Sequence, residues 1–289
     1  MSGHFDKEAV VATIDADSSS RASSTGWPER ITSWRSTQRS TRRGITGWIV
    51  LLVMWEIIGR FVITSKLFFV PFSDVLAAFS NLLATGELQQ HFVVSGQEFL
   101  QGYFMAAIAG TVMGFVMAHS RLLREYLEPL LSALYSTPMI ALTPLFILWF
   151  GIGMASKIAV VFLMVIFPVW INTSVGFVST DRSYLEVARS FGASRWQSFV
   201  QVVFPSALPF VIAGLRLGVG RGIVAVVVGE LFGARAGLGY LIFFSSQAFQ
   251  TANLFVGILV LALTGMFSMA ALQRLERHLA PWRPASLGD

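Results

Sequence analysis

Residues 181–209 read DRSYLEVARSFGASRWQSFVQVVFPSALP. Ser183 and Glu186 have the S-x-x-E spacing of a capping box, in which each side chain satisfies a free N–H at a helix start. The helix they open is expected to run to about Phe191, where Gly192 can take the left-handed conformation that ends it. Ser194 and Gln197 give a second box, S-x-x-Q, and Trp196, Phe199, Val200, Val203 and Phe204 then share one helical face. Pro205 and Pro209 close the unit. Two short capped helices joined by a glycine exceed what a plain connector needs, so the segment reads as a docking surface. An interfacial helix that only steadies the fold is the alternative. A DNA-binding helix-turn-helix is disfavoured, because both ends run into long apolar stretches and the basic residues are few.

Those stretches set the class. The chain has 289 residues, 54% hydrophobic and only 13% charged, where a soluble domain carries about 25% charged residues. The mean hydropathy is +0.66. A soluble enzyme, a disordered chain and a disulfide scaffold are excluded on this balance, leaving an all-α, polytopic membrane helix bundle. There is no cysteine, and the four histidines, His4, His91, His119 and His278, show no metal-ligand spacing. No metal site is expected.

A bilayer core of about 30 Å takes roughly 20 apolar helical residues. On that rule about six spans fall near 44–63, 99–118, 129–150, 158–178, 210–232 and 254–272, within a membrane domain of 44–274. Residues 1–43, rich in Ser, Thr and Arg, read as a mostly disordered basic tail without a cleavable signal peptide. Residues 275–289 form a C-terminal tail. Between the first two spans, Ser73 is a plausible N-cap, apolar residues from Val75 to Leu83 recur at helical spacing, and Gly86 suits the stop.

The net charge of +5 does not point to nucleic acid, because the arginines gather in tails and short loops. Arg21, Arg30, Arg35, Arg39, Arg42 and Arg43 precede the first span; Arg274, Arg277 and Arg283 follow the last. Arg121 and Arg124, and Arg182, Arg189 and Arg195, occupy two loops on the same side. The bias places both termini and those loops in the cytoplasm.

Within 181–209, Glu186-Val187-Ala188, three residues, Gly192, nine residues, then Val202-Val203-Phe204-Pro205 resembles the EAA loop of ATP-binding-cassette importer permeases. That motif reads E-A-A, three residues, G, nine residues, I-x-L-P. Glu186, Ala188, Gly192 and Pro205 match in identity; Val187, Val202 and Phe204 depart conservatively. The resemblance extends from about residue 69 to Pro284. Pro138 and Pro144-Leu145, GIGMASK (151–157), FPVWINT (167–173), GARAGLGYLI (233–242) and LERHLAPWR (275–283) look like the nitrate/sulfonate/taurine-type branch. The N-terminal tail lies outside it.

The resemblance implies a type I-like permease of a bacterial inner membrane. It implies a homodimer in membrane lipid, with a separate cytoplasmic ATPase that holds ATP and Mg. A periplasmic or lipid-anchored binding protein would deliver a small solute, best taken as an organic anion such as an alkanesulfonate, taurine or a nitrate-like anion. Tyr184, Leu185, Glu186, Val187, Ala188, Phe191, Gly192, Ala193 and Pro205 would then couple to the ATPase. The resemblance implies no catalytic residue on this chain. Consistently, G-x-x-x-x-G-K-[ST] does not occur, and Gly218-Val219-Gly220-Arg221-Gly222 lies in an apolar span where small residues allow close packing.

Ionisable residues inside a membrane are costly and invite functional readings. Glu56 and Arg60 have the i,i+4 orientation of a structural ion pair. Glu230 either lines a translocation path or anchors the outer end of its helix. Arg216 and Arg221 either snorkel to headgroups or draw an anion inward. Asn172 and Thr173 are polar path candidates that interhelical hydrogen bonding explains equally well. Pro138, Pro144 and Pro168 are expected to bend their helices. The competing function is an ion-coupled secondary transporter using Glu56 and Glu230. It would leave the 181–209 pair without a role, and an intramembrane enzyme lacks a nucleophile–base set.

Overall fold

A computed structural model of the chain describes residues 46–63 and 65–280. Two compact units divide between Trp55 and Glu56. In the first, residues 46–55 are helical. The expected tail 1–43 and residues 281–289 lie outside the described residues, as does the start of the expected span 44–63.

The second unit is entirely helical, with no strand among the described residues. After a π-helical turn at Ile58–Val62 come α1 (Phe72–Ala84), α2 (Glu87–His119), α3 (Arg121–Ser136), a 3-10 turn at Met139–Leu142, α4 (Thr143–Phe150) and α5 (Met154–Val178). They are followed by α6 (Arg182–Ser190), α7 (Arg195–Ser198), a second π-helical turn at Phe199–Val203, α8 (Phe204–Leu231), α9 (Leu238–Gln247) and α10 (Thr251–Leu279). Four helical stretches are long and apolar enough to cross a membrane: α2, α5, 195–231 and α10. The pair 121–136 and 139–150 makes a fifth if counted as one span, bent by 87°.

That bend has a local cause. A residue before proline is pushed out of the α region, and Thr137 sits extended (ψ 137°) ahead of Pro138. Pro144, by contrast, bends nothing: it occupies the first turn of α4, where a missing N–H costs little. Pro168 also leaves α5 unbroken.

The packed centre is α5 between α2 and α8, with Ala106, Val160, Val161, Val165, Val169, Val219 and Val226 buried together. Lipid is as apolar as these side chains, so helices associate here through close packing and interhelical hydrogen bonds. A Cβ on Gly114 of α2 would stand 2.7 Å from Thr173 Cβ of α5, and one on Gly214 of α8 would stand 3.0 Å from Asn172 Cβ. The backbones approach that closely only because those positions are glycine.

Three further expectations are corrected. Helix α2 begins at Glu87, twelve residues before the expected boundary, because His91, Ser95 and Glu98 turn inward along one face and are buried. Hydropathy counted them against the span; the fold buries them in partnership. Ser73 is not the N-cap of α1, which is Pro71. Instead its N–H and Oγ donate to the Glu56 carboxylate at 3.0 and 2.9 Å, alongside Arg60 Nε at 2.5 Å. Finally, Pro205 and Pro209 do not close the 181–209 unit. The π turn absorbs the N–H that Pro205 lacks, since Phe204 N–H reaches five residues back to Phe199 O. The helix then runs on into α8, with Pro209 inside it.

Candidate functional site: the 181–209 helical pair and its seat

The loop folds as two helices, though its first cap is not the expected one. Asp181, extended at φ −62° and ψ 128°, accepts from Ser183 N–H at 2.9 Å. Ser183 therefore stands inside the first turn, and no Ser183–Glu186 box forms. A carboxylate at this position also answers the positive end of the helix dipole. The same hydrogen bond, reinforced by the Ser183 hydroxyl, holds the Asp181 carboxyl below its ordinary range.

At the other end, Gly192 adopts φ +77°. Its N–H donates to Arg189 O at 2.9 Å, and Ala193 N–H donates to Ala188 O at 3.0 Å. These two bonds constitute a Schellman end. The second box is formed as expected: Ser194 N–H donates to Gln197 Oε1 at 2.8 Å and Gln197 N–H to Ser194 Oγ at 3.2 Å.

The apolar face of α6 is turned outward. Tyr184, Val187 and Phe191 are 62%, 54% and 87% exposed; Glu186 lies beside them, also exposed, while Leu185, Ala188 and Ala193 are half-buried. Exposed aromatic and branched side chains on a short polar loop are what a partner groove covers.

Phe199 ties this unit to the bundle. Its ring meets Phe115 and His119 of α2 at 5.6 and 5.8 Å, Phe177 of α5 at 6.3 Å, and Trp196 at 5.7 Å. Sequence periodicity put Phe199 on an amphipathic face; the π turn gives it this seat between two long helices.

A second polar centre lies at the far end of α2 and α8. Glu230 accepts from Ser95 Oγ and Gly239 N–H, both at 2.5 Å, and from Tyr240 N–H at 3.3 Å. Leu238 N–H donates to Ser95 Oγ at 2.7 Å and Gly237 N–H to His91 Nδ1 at 3.0 Å. Four N–H groups at the start of α9 are thus capped by side chains remote in sequence, and α9 itself was not expected. Glu98 and Lys157 pair nearby at 2.7 Å. Neither residue is among the site candidates that the sequence offers.

The remaining path candidates do not converge. Arg216 pairs with Glu276 of α10, Arg221 is exposed on α8, Asn172 Nδ2 donates to Pro168 O at 2.8 Å, and Thr173 is buried with its hydroxyl unpartnered. Glu56 and Glu230 are each engaged by several donors. Among the described residues no group of His, Asp and Glu is arranged to hold a metal ion.

Residues 106–283, which include the helical pair and its seat, match the binding-protein-dependent transport system inner membrane component family. The chain belongs to that family. The permease is 35% identical over 234 residues to the putative aliphatic sulfonates transport permease SsuC of Bacillus subtilis (strain 168), covering 81% of this chain and 85% of that one. It is 31% identical over 255 residues to the taurine transport permease TauC of Escherichia coli (strain K12), covering 86% and 93%. It is 36% identical over 235 residues to the riboflavin transport permease RibX of Chloroflexus aurantiacus, covering 81% and 87%. The inward-facing methionine ABC transporter MetNI shares the fold, with a TM-score of 0.55 at 18% identity over 68% of this chain and 97% of that one. This is a multi-pass membrane permease of the ABC importer class.

Proposed function

We propose that the permease carries a small organic anion, of the alkanesulfonate or taurine kind or a nitrate-like anion, inward across a bacterial inner membrane as a homodimer. A solute-binding protein, periplasmic or lipid-anchored, delivers the solute. ATP and Mg sit on a separate ATPase that docks on α6. Both termini and the 181–209 pair face the cytoplasm, in keeping with the arginine distribution. Relatives named for sulfonates and taurine support the solute class, though others are named for riboflavin and formylaminopyrimidine.

The observation that carries the docking assignment is the geometry of α6. It is capped by Asp181, ended by Gly192, and presents Tyr184, Val187 and Phe191 outward around Glu186. Helix-in-groove docking reads such one-faced anchors. Movement of the ATPase pair would reach the membrane helices through Phe199.

The chain has no cysteine, which makes the test direct. Val187→Cys and Phe191→Cys should each crosslink to single cysteines in the groove of the co-expressed ATPase, with a yield that changes on ATP binding. Val112→Cys, on the exposed flank of α2, should not. Crosslinking that fails from α6 yet succeeds from another loop would overturn the assignment.

A further inference from the structure

His91 sits at the end of α2 remote from α6, roughly 40 Å along the helix from His119. It is 6% exposed. Its Nδ1 accepts from Gly237 N–H at 3.0 Å, which makes the ring the neutral tautomer with its proton on Nε2. Nε2 in turn lies 3.7 Å from Glu87 Oε1, one turn earlier on α2, and Glu87 is 52% exposed. A buried imidazole thus has a backbone N–H on one nitrogen and a solvated carboxylate near the other.

Three observations make the bond to Gly237 conditional. First, of the side chains that cap α9, the imidazole alone loses its acceptor on taking a proton; a serine hydroxyl and a carboxyl both keep lone pairs. Second, a charged ring would face the positive end of α9, while Glu87 stands within ion-pair reach. The other acids around the ring are already committed. Glu98 of α2 is paired with Lys157 of α5, Glu230 of α8 is held by Ser95, Gly239 and Tyr240, and Asp74 of α1 is paired with Lys66 in the groove beside Glu87. Tyr240 of α9 packs its ring 5.8 Å from the imidazole, and Arg235, in the turn before α9, is exposed. Third, α9 has a separate hold on the bundle. Ile242 packs so closely on α10 that a Cβ at Gly257 would stand 2.6 Å from Ile242 Cγ1.

We infer that His91 is a proton-operated latch on α9. Neutral, it holds Gly237 and the start of α9 against α2. Charged, it gives up the Gly237 N–H, pairs with Glu87, and lets α9 pivot about its seat on α10. The bond requires the neutral ring, so the latch is closed at alkaline pH. It opens as pH falls through the range in which histidine titrates, about pH 8 to 5. Only the side that supplies the proton rests on the permease reading, which makes it the face opposite the ATPase, where solute is delivered.

The chain has no cysteine, so a single spin label reads the latch. Phe243→Cys on α9 (43% exposed) and, as a reference, Val112→Cys on α2 (56% exposed) are labelled in separate preparations of the permease–ATPase complex in nanodiscs. Spectra are recorded from about pH 8 to about pH 5. At position 243 a mobile component, minor at the alkaline end, should become dominant at the acid end; position 112 should not change. In His91→Gln the amide oxygen still accepts from Gly237 N–H and cannot titrate, so the label should stay immobile throughout. In His91→Leu it should be mobile throughout. Glu87→Gln, which removes the charged ring's partner, should move the midpoint to lower pH. A wild-type spectrum at 243 that ignores pH overturns the inference, as does a transition that survives in His91→Gln. An equal change at position 112 also overturns it, since acid would then loosen the whole bundle. ATPase co-purification is read in the same samples: if the ATPase is retained and no transition occurs, only the latch fails, whereas a transition without ATPase capture leaves the latch standing and removes the permease reading.

Discussion

Lys157 Nζ of α5 lies 2.7 Å from Glu98 Oε1 of α2, with the side chains 9% and 1% exposed. Breaking one half of a buried pair leaves the other charge unsolvated, typically at about 3–5 kcal/mol. Glu98→Gln or Lys157→Met alone should therefore sharply lower the thermal stability of the purified permease. The double replacement by Met should recover much of the loss, as a double-mutant cycle by scanning fluorimetry would show.

Glu230 and Ser95 cap α9 from a distance. Replacing Ser95 by Ala leaves Leu238 N–H without its acceptor, at about 1–3 kcal/mol, and Glu230→Gln removes the charge facing the helix start. Hydrogen exchange over 238–247 should accelerate in both variants while exchange in α5 stays slow. Uniform acceleration everywhere would contradict a local capping role.

Asp181 is a depressed carboxylate, so its contribution to α6 is present above the ordinary carboxylate range and is lost as pH falls through its lowered value. Helicity of 182–190 should persist to mildly acid pH and fall below it. In Asp181→Asn that acid step should vanish, which site-resolved NMR of the segment would register.

Phe199 links α6 and α7 to α2 and α5. Its ring is half-buried, so Phe199→Ala should cost about 2–3 kcal/mol, less than a fully buried aromatic. ATPase docking on α6 should survive, while solute-stimulated turnover drops. Loss of docking itself would mean the ring shapes α6 rather than transmits from it.

Much of this was legible in sequence because its causes are local. Gly192, the Ser194–Gln197 box, the Glu56–Arg60 pair and the break at Pro138 each depend on residues a turn apart. What escaped has non-local causes. The start of α2 was hidden because His91, Ser95 and Glu98 lower local hydropathy, and their partners, Gly237, Leu238 and Lys157, lie far along the chain. Helix α9 was hidden for the same reason, since its caps are supplied by α2 and α8. The π turn at Phe199–Val203 disguised two prolines as a terminus.

Coupling through α6 is tested by binding-protein-stimulated ATPase activity in proteoliposomes holding the permease, its ATPase and the binding protein. Wild type is compared with Glu186→Ala and Gly192→Pro. Loaded binding protein should stimulate the wild type. Glu186→Ala should keep a folded permease with weakened coupling, and Gly192→Pro, which removes the N–H bonded to Arg189 O, should lose ATPase capture. Full stimulation in both variants, or solute uptake that follows an ion gradient without ATP, would contradict it.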